Sequence, residues 1–216
     1  MPSDLSGYKT ILLFGGSFDP PHRAHTRLPQ MVAKVIGADL IAYIPAGRAP
    51  HKLDRVQTDP RHRLAMLRLA LEDEPGEIPA KALTLEVERG ADDPSYTVDT
   101  LETLSKQIDP GATLRLLIGA DQLRIFDSWR NPKRIIELAE PVVMVRPPDT
   151  RASLLGSLAS EERDGWADRL VEAEMIDLSS TQLRKKIAAG EPIGQWTPAS
   201  VCGYIAKHGL YRDTRD

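Results

Sequence analysis

Short, almost wholly apolar runs punctuate the chain at residues 10–14 (TILLF), 40–44 (LIAYI), 114–118 (LRLLI) and 141–145 (PVVMV). Such runs are too short for buried helices and carry little polar alternation, so each reads as a strand covered on both faces. Between them the pattern turns helical. Helices are predicted at 23–36 and at 60–72, the latter with Leu64, Leu67 and Leu71 on one stripe. Pro29 should distort the first of these or displace its start. Asp93-Pro94 reads as a cap followed by proline at the first helical position, opening a helix that runs to about residue 107. Helices at 181–189 and 198–208 end on Gly190 and Gly209. The alternating run 83–87 (LTLEV) and residues 175–178 read as further strands, and 147–169 as a surface excursion with one short helix. This order of elements predicts an α/β, doubly wound, mostly parallel sheet in one domain spanning 1–216. In that architecture ligands bind beyond the carboxyl ends of the strands, where the strand order reverses. The residues just after each strand are therefore the candidates for function.

Charge decides how a ligand would be held. With 28 basic and 31 acidic residues the net charge is −3, which exerts no global pull on nucleic acid or an anionic membrane. Any phosphate must be gripped by a local site. The lone cysteine, Cys202, excludes an intramolecular disulfide framework and fits a reducing compartment. The polar start, Met1 to Lys9, has no signal-peptide core, and no apolar run approaches the length of a membrane span. A cytoplasmic protein without nucleic-acid or membrane partners is expected; a homo-oligomer is left open.

The loop after the first strand carries the strongest signal: Phe14-Gly15-Gly16-Ser17-Phe18-Asp19-Pro20-Pro21-His22-Arg23-Ala24-His25. Two glycines directly after a strand let the backbone approach a ligand. Ser17 offers a hydroxyl, local amides can meet a phosphate oxygen, and the helix that follows adds the positive end of its dipole. His22 and His25, three apart at the helix start, share a face and can donate to phosphate oxygens that gain charge during reaction. A Gly-Gly turn alone is usually only a turn, and paired histidines without a third ligand nearby make a poor metal site.

The whole string resembles the G-G-S/T-F-D-P-x-H-x-G-H signature of the nucleotidyltransferase superfamily, whose H-x-G-H element is shared with class I aminoacyl-tRNA synthetases. Ala24 stands where that pattern has glycine. Later loops resemble the bacterial nicotinate-nucleotide adenylyltransferases. Pro45 to Lys52 is similar to a P-x-x-x-P-P-H-K loop, with Ala49 for one proline, and His62, Arg63 and Met66 to an H-R-x-x-M-L helix read as mainly structural. Pro94 to Thr100 (PSYTVDT) is similar to P-S-Y-T-x-x-T, Ile118 to Asp121 to I-G-A/Q-D, Leu178 to Arg184 to I-S-S-T-x-I/L-R, and Gly209-Leu210-Tyr211 to a closing G-L-Y. Arg146 matches an R-P pair, and Trp129 a stacking tryptophan that many relatives follow with tyrosine where this chain has Arg130.

The resemblance implies a Rossmann-like nucleotidyltransferase fold and adenylyl transfer from ATP to nicotinate mononucleotide, with Mg²⁺ carried on the phosphates of ATP. His22, His25 and Arg184 would be catalytic. Gly15, Gly16, Ser17, Phe18, Lys52, Gly119, Asp121, Ser180 and Thr181 would hold ATP and phosphate, and Tyr96, Thr97 and Trp129 the pyridine nucleotide. Other readings are a phosphopantetheine-type adenylyltransferase, which lacks the P-S-Y-T and Trp129 features, a synthetase fragment, which would need a K-M-S-K-S-like loop, and a catalytically dead nucleotide-binding regulator.

Overall fold

Strands apolar at nearly every position need cover on both faces, and the fold supplies it. The computed structural model describes residues 5–47, 57–89, 95–160, 163–174 and 178–212. Strands β1 (Thr10–Gly16), β2 (Leu40–Pro45), β3 (Ala80–Ala82), β4 (Thr113–Gly119), β5 (Glu140–Val145) and β6 (Leu170–Glu172) form a sheet in the order β3-β2-β1-β4-β5-β6. Every pairing is parallel. Successive residues face opposite sides. Ile11 and Leu13 of β1 share a cluster with Leu101 of α4 (Thr97–Leu104), Ile135 of α6 (Pro132–Leu138), Leu154 of α7 (Arg151–Gly156) and Trp166 of α8 (Arg163–Ala167). Leu12 faces the other way, against Leu28 and Val32 of α1 (Arg23–Ile36) and Leu67 of α2 (Pro60–Asp73). A third cluster packs Leu183 of α9 (Ser180–Ala188) and Val201 and Ile205 of α10 (Ala199–His208) on Met66 and Ala70 of α2.

From β1 the chain moves outward to β2 and β3, then returns to pair β4 with the other side of β1 and continues to β5 and β6. The reversal therefore lies between β1 and β4. A crevice opens there because the connections after the two strands leave toward opposite faces.

Several expectations change. Residues 83–87 are not a strand: Leu83 donates one last ladder bond to the Tyr43 carbonyl (2.8 Å), and the chain then coils into α3 (Leu85–Glu88), which buries Glu86. A short strand not expected from the pattern, β6, runs over Leu170–Glu172, and the strand expected at 175–178 falls at 175–177 outside the described residues. The 147–169 stretch holds two short helices and anchors itself in the core through Leu154 and Trp166. The cap at Asp93-Pro94 lies outside the described residues, and α4 begins at Thr97. Pro29 neither ends nor displaces α1, which spans all fourteen predicted residues. Proline has no amide to give the carbonyl four residues earlier; that carbonyl, of His25, accepts the Tyr43 hydroxyl at 3.0 Å instead.

Leu12 is fully buried at the middle of the central strand. Leu12→Ala is expected to lower unfolding free energy by roughly 2–5 kcal/mol. Urea denaturation checks this; a loss well under 1 kcal/mol would show that the site collapses freely.

Candidate active site

A cleft of about 710 Å³ opens at the β1/β4 reversal, lined by the ends of both strands and by the starts of α1, α4 and α9. Its floor is the turn Gly15-Gly16-Ser17-Phe18. A Cβ at Gly16 would stand 2.9 Å from the Phe18 ring, so only glycine lets the turn fold over that ring. Phe18 adopts φ 50° and is buried, its ring set edge-on to those of Phe14 and His25. What Phe18 gives the site is the shape of the turn beneath any ligand.

His22 and His25 begin α1 with their rings stacked, centroids 3.7 Å apart. The His22 amide donates to His25 Nδ1 at 3.2 Å. An accepting Nδ1 carries no proton, so the neutral His25 ring bears its hydrogen on Nε2. Burial, and after it the positive charge of Arg146, pull the His22 pKa from 6.5 to about 4. Both rings line the cleft, and His22 is an uncharged donor near neutral pH. Ala24, whose methyl departs from the motif, is buried and packs in the Leu28 cluster.

Two buried groups that sequence reasoning left aside shape the β1 and β2 ends. Arg63 is fully buried, and its guanidinium donates to four carbonyls: Thr58 (2.8 Å), Ser17 (2.7 Å), Ala46 (2.6 Å) and Gly47 (3.0 Å). Burial lowers its pKa, opposed first by the Asp19 carboxylate. The signal was present in the sequence. Residues 63, 66, 67 and 70 form the buried stripe of α2, which puts an arginine on the apolar face. Glu86 is the second; its Oε1 accepts from the Thr100 hydroxyl at 2.8 Å, and burial raises its pKa. It ties α3 to α4 across the cleft wall.

On the opposite wall, Ser179 caps α9, its side chain accepting from the Gln182 amide. Ser180, expected to grip phosphate, donates its hydroxyl to the Pro20 carbonyl at 2.9 Å, so its amide is the donor that remains to face an anion. Arg184 donates to the Asp19 carbonyl (2.9 Å) and to the Thr181 hydroxyl (3.2 Å). Asp19 in turn accepts from the Tyr211 hydroxyl at 2.6 Å and from the Thr58 amide at 3.3 Å. Asp19 and Tyr211 are thus further residues that fix the loop before α1.

The β4 side forms a separate lobe. A Cβ on Gly119 would lie 2.5 Å from Asp121 Oδ1, so glycine lets that carboxylate fold back over the strand end. Tyr96 caps α4 and Thr97 opens it, with Trp129 close by, packed against Phe126 at 5.3 Å between centroids. Arg130 covers the Tyr96 ring at 4.7 Å and lies 3.5 Å from Asp99. All of these line the cleft except Asp99 and Phe126. Lys52 and Pro94 lie outside the described residues. Among the described residues no group of three or more His, Cys, Asp or Glu side chains is placed to hold a metal, and no helix is long and apolar enough to cross a membrane.

A parallel sheet with this strand order, a glycine turn leading into a histidine-paired helix start and a serine-capped helix start across from it are those of a nucleotidyltransferase; the cytidylyltransferase-like family model matches residues 13–186. A protein of Roseiflexus sp. (strain RS-1) named probable nicotinate-nucleotide adenylyltransferase is 40% identical over 205 residues, covering 94% of this chain and 98% of that one. A Bacillus pumilus (strain SAFR-032) protein of the same name is 34% identical, with the same coverage of both chains. The chain belongs to the nicotinate-nucleotide adenylyltransferase family. Its fold is also that of Plasmodium falciparum nicotinic acid mononucleotide adenylyltransferase complexed with NaAD, with a TM-score of 0.72 at 19% identity over 96% of this chain and 100% of that one.

The depressed His22 pKa has a signed consequence. The folded state disfavours the imidazolium, so its contribution to stability is complete above pH 6.5 and is lost as pH falls toward 4. The shift corresponds to on the order of 3 kcal/mol. NMR titration of the ligand-free protein should place the His22 midpoint near 4; a midpoint at or above 6 would contradict its burial. Arg63→Lys keeps the charge but not the span between carbonyls. It should cost at least about 3 kcal/mol of stability and weaken ATP binding, read by urea denaturation and calorimetry.

Proposed function

We propose that residues 1–216 act as one nucleotidyltransferase domain that joins ATP and nicotinate mononucleotide, giving nicotinate adenine dinucleotide and pyrophosphate in NAD biosynthesis. The observation that carries this reading is the single cleft in which the stacked His22/His25 pair and the α9 start face the Trp129–Thr97 lobe across the β1/β4 reversal. A triphosphate fits the first lobe and a pyridine ring the second.

A phosphate oxygen of the mononucleotide attacks the α-phosphorus of ATP. The bond from that phosphorus to the oxygen bridging to the β-phosphorus breaks, and pyrophosphate leaves with the electron pair. No protein nucleophile is required; catalysis is positioning plus stabilisation of developing charge. His25 donates through Nε2 and His22 beside it, while Arg184, the Ser17 turn and the amides of Ser180 and Thr181 hold phosphates. ATP enters as its magnesium complex, the cation held by phosphate oxygens and water; the Asp19 carboxylate is already engaged by Tyr211 and Thr58. Gly15, Gly16 and Gly119 admit the nucleosides, and Asp121 accepts from ribose hydroxyls. Trp129 stacks on the pyridine, and the unpaired amides at the start of α4 receive its carboxylate. Such a reaction between soluble nucleotides belongs in the cytoplasm.

Pyrophosphate release with ATP and each mononucleotide tests the reading. The nicotinate form should be preferred by roughly ten-fold to more than a hundred-fold, because an amide would set its own donors against those of α4. A ratio near one would remove the carboxylate assignment. His25→Ala should lower kcat by about 10²–10³ with the fold intact; near-wild-type turnover would end its catalytic role.

A further inference from the structure

We infer that Tyr43 is a positioning residue for His25, standing in for the backbone amide that Pro29 lacks. The inference rests on the adenylyl-transfer reading, in which His25 acts on the reacting phosphates.

In a helix the carbonyl of residue 25 takes the amide of residue 29, and here that residue is proline. The gap falls in the first turn, which carries both imidazoles. A buried carbonyl without a donor is free to tilt, and the peptide plane beyond His25 would tilt with it. Tyr43, wholly buried on β2, donates its hydroxyl to that carbonyl at 3.0 Å. In the sheet register Tyr43 lies opposite Phe14, the residue before Gly15. The sheet thus sets His25 at the same level as the glycine turn. Burial raises the Tyr43 pKa, so the hydroxyl keeps its proton. His25 is then fixed at two points, its carbonyl by Tyr43 and its Nδ1 by the His22 amide at 3.2 Å. The outer side of the same turn is held separately, by Arg23 and Thr26 on Glu74 at 2.7 and 2.8 Å. Those bonds restrain the helix start but do not touch the His25 peptide.

A hydroxyl that only packs the core and one that replaces a missing amide differ in what restores its loss. Tyr43→Phe keeps the ring and removes the donor. Its kcat should fall about five- to twenty-fold, with KM for ATP within about two-fold, because the lost interaction serves the transition state. Pro29→Ala returns an amide that can reach the His25 carbonyl. In that background Tyr43→Phe should change kcat by less than about two-fold, a coupling read from the double-mutant cycle. Equal loss in both backgrounds, or unchanged kcat in Tyr43→Phe alone, would overturn the inference. If Tyr43→Phe alone does not fold, recovery of a folded, active protein on adding Pro29→Ala supports the inference, and failure of the double variant to recover overturns it. Failure of the underlying reading is distinguishable: the wild-type protein would then release no pyrophosphate from ATP and nicotinate mononucleotide, or His25→Ala would keep its turnover.

Discussion

The site depends on one buried cation. A parallel strand ends with carbonyls that its neighbours cannot satisfy, and the turns after β1 and β2 bring several of these together beneath the cleft. Arg63 reaches them from α2 and donates to Ser17, Ala46, Gly47 and Thr58 at once. A guanidinium suits this task because its five donors lie in a fixed plane and it stays charged when buried. The exchange is mutual. The carbonyls make a desolvated charge tolerable, and the charge ties together the described ends of two loops that are also joined by the bond from the Ala46 amide to the Gly16 carbonyl. The glycine turn and the described start of the β2 loop are tied together by this contact.

A second layer of restraint comes from the end of the chain. Tyr211 bonds the Asp19 carboxylate, and Arg184 bonds the Asp19 main chain. The segment between the glycine turn and α1 is therefore gripped from α9 and from the turn after α10. Both helices pack on α2, the same helix that carries Arg63. Cleft-lining groups from opposite ends of the sequence thus rest on one support, which suits chemistry that works by placement rather than by a protein nucleophile.

The electrostatics follow the same economy. His22 is kept neutral by burial and by Arg146, so it adds no positive charge to that of the arginines lining the cleft. A triphosphate would reverse the local sign and favour the donors already aimed at it. The β4 lobe is shaped by a glycine that admits a folded-back Asp121, a tryptophan packed on Phe126, and a helix start whose N-cap residue, Tyr96, makes no side-chain capping bond.

The sequence by itself determined the sheet and the place of the site. Runs such as TILLF and LRLLI can be satisfied only between two helix layers, and the glycine and histidine motifs sit where those strands end. The family's motifs named the polar residues at the strand and helix ends that line the cleft, though not Glu86. Only the tertiary structure decided how they are held. Alternation in LTLEV mimics a strand, but a buried Glu86 needs the Thr100 hydroxyl, and a helical turn provides it. Pro29 looks like a break until a tyrosine from another strand replaces its missing amide. The helix start at Ser180 is legible in the motif, but not that its hydroxyl bonds the Pro20 carbonyl. Each of these outcomes depends on a partner distant in sequence. Local patterns report the period of an element and the chemistry of a residue, but a buried polar group is satisfied, or not, by whatever the packed fold brings to it.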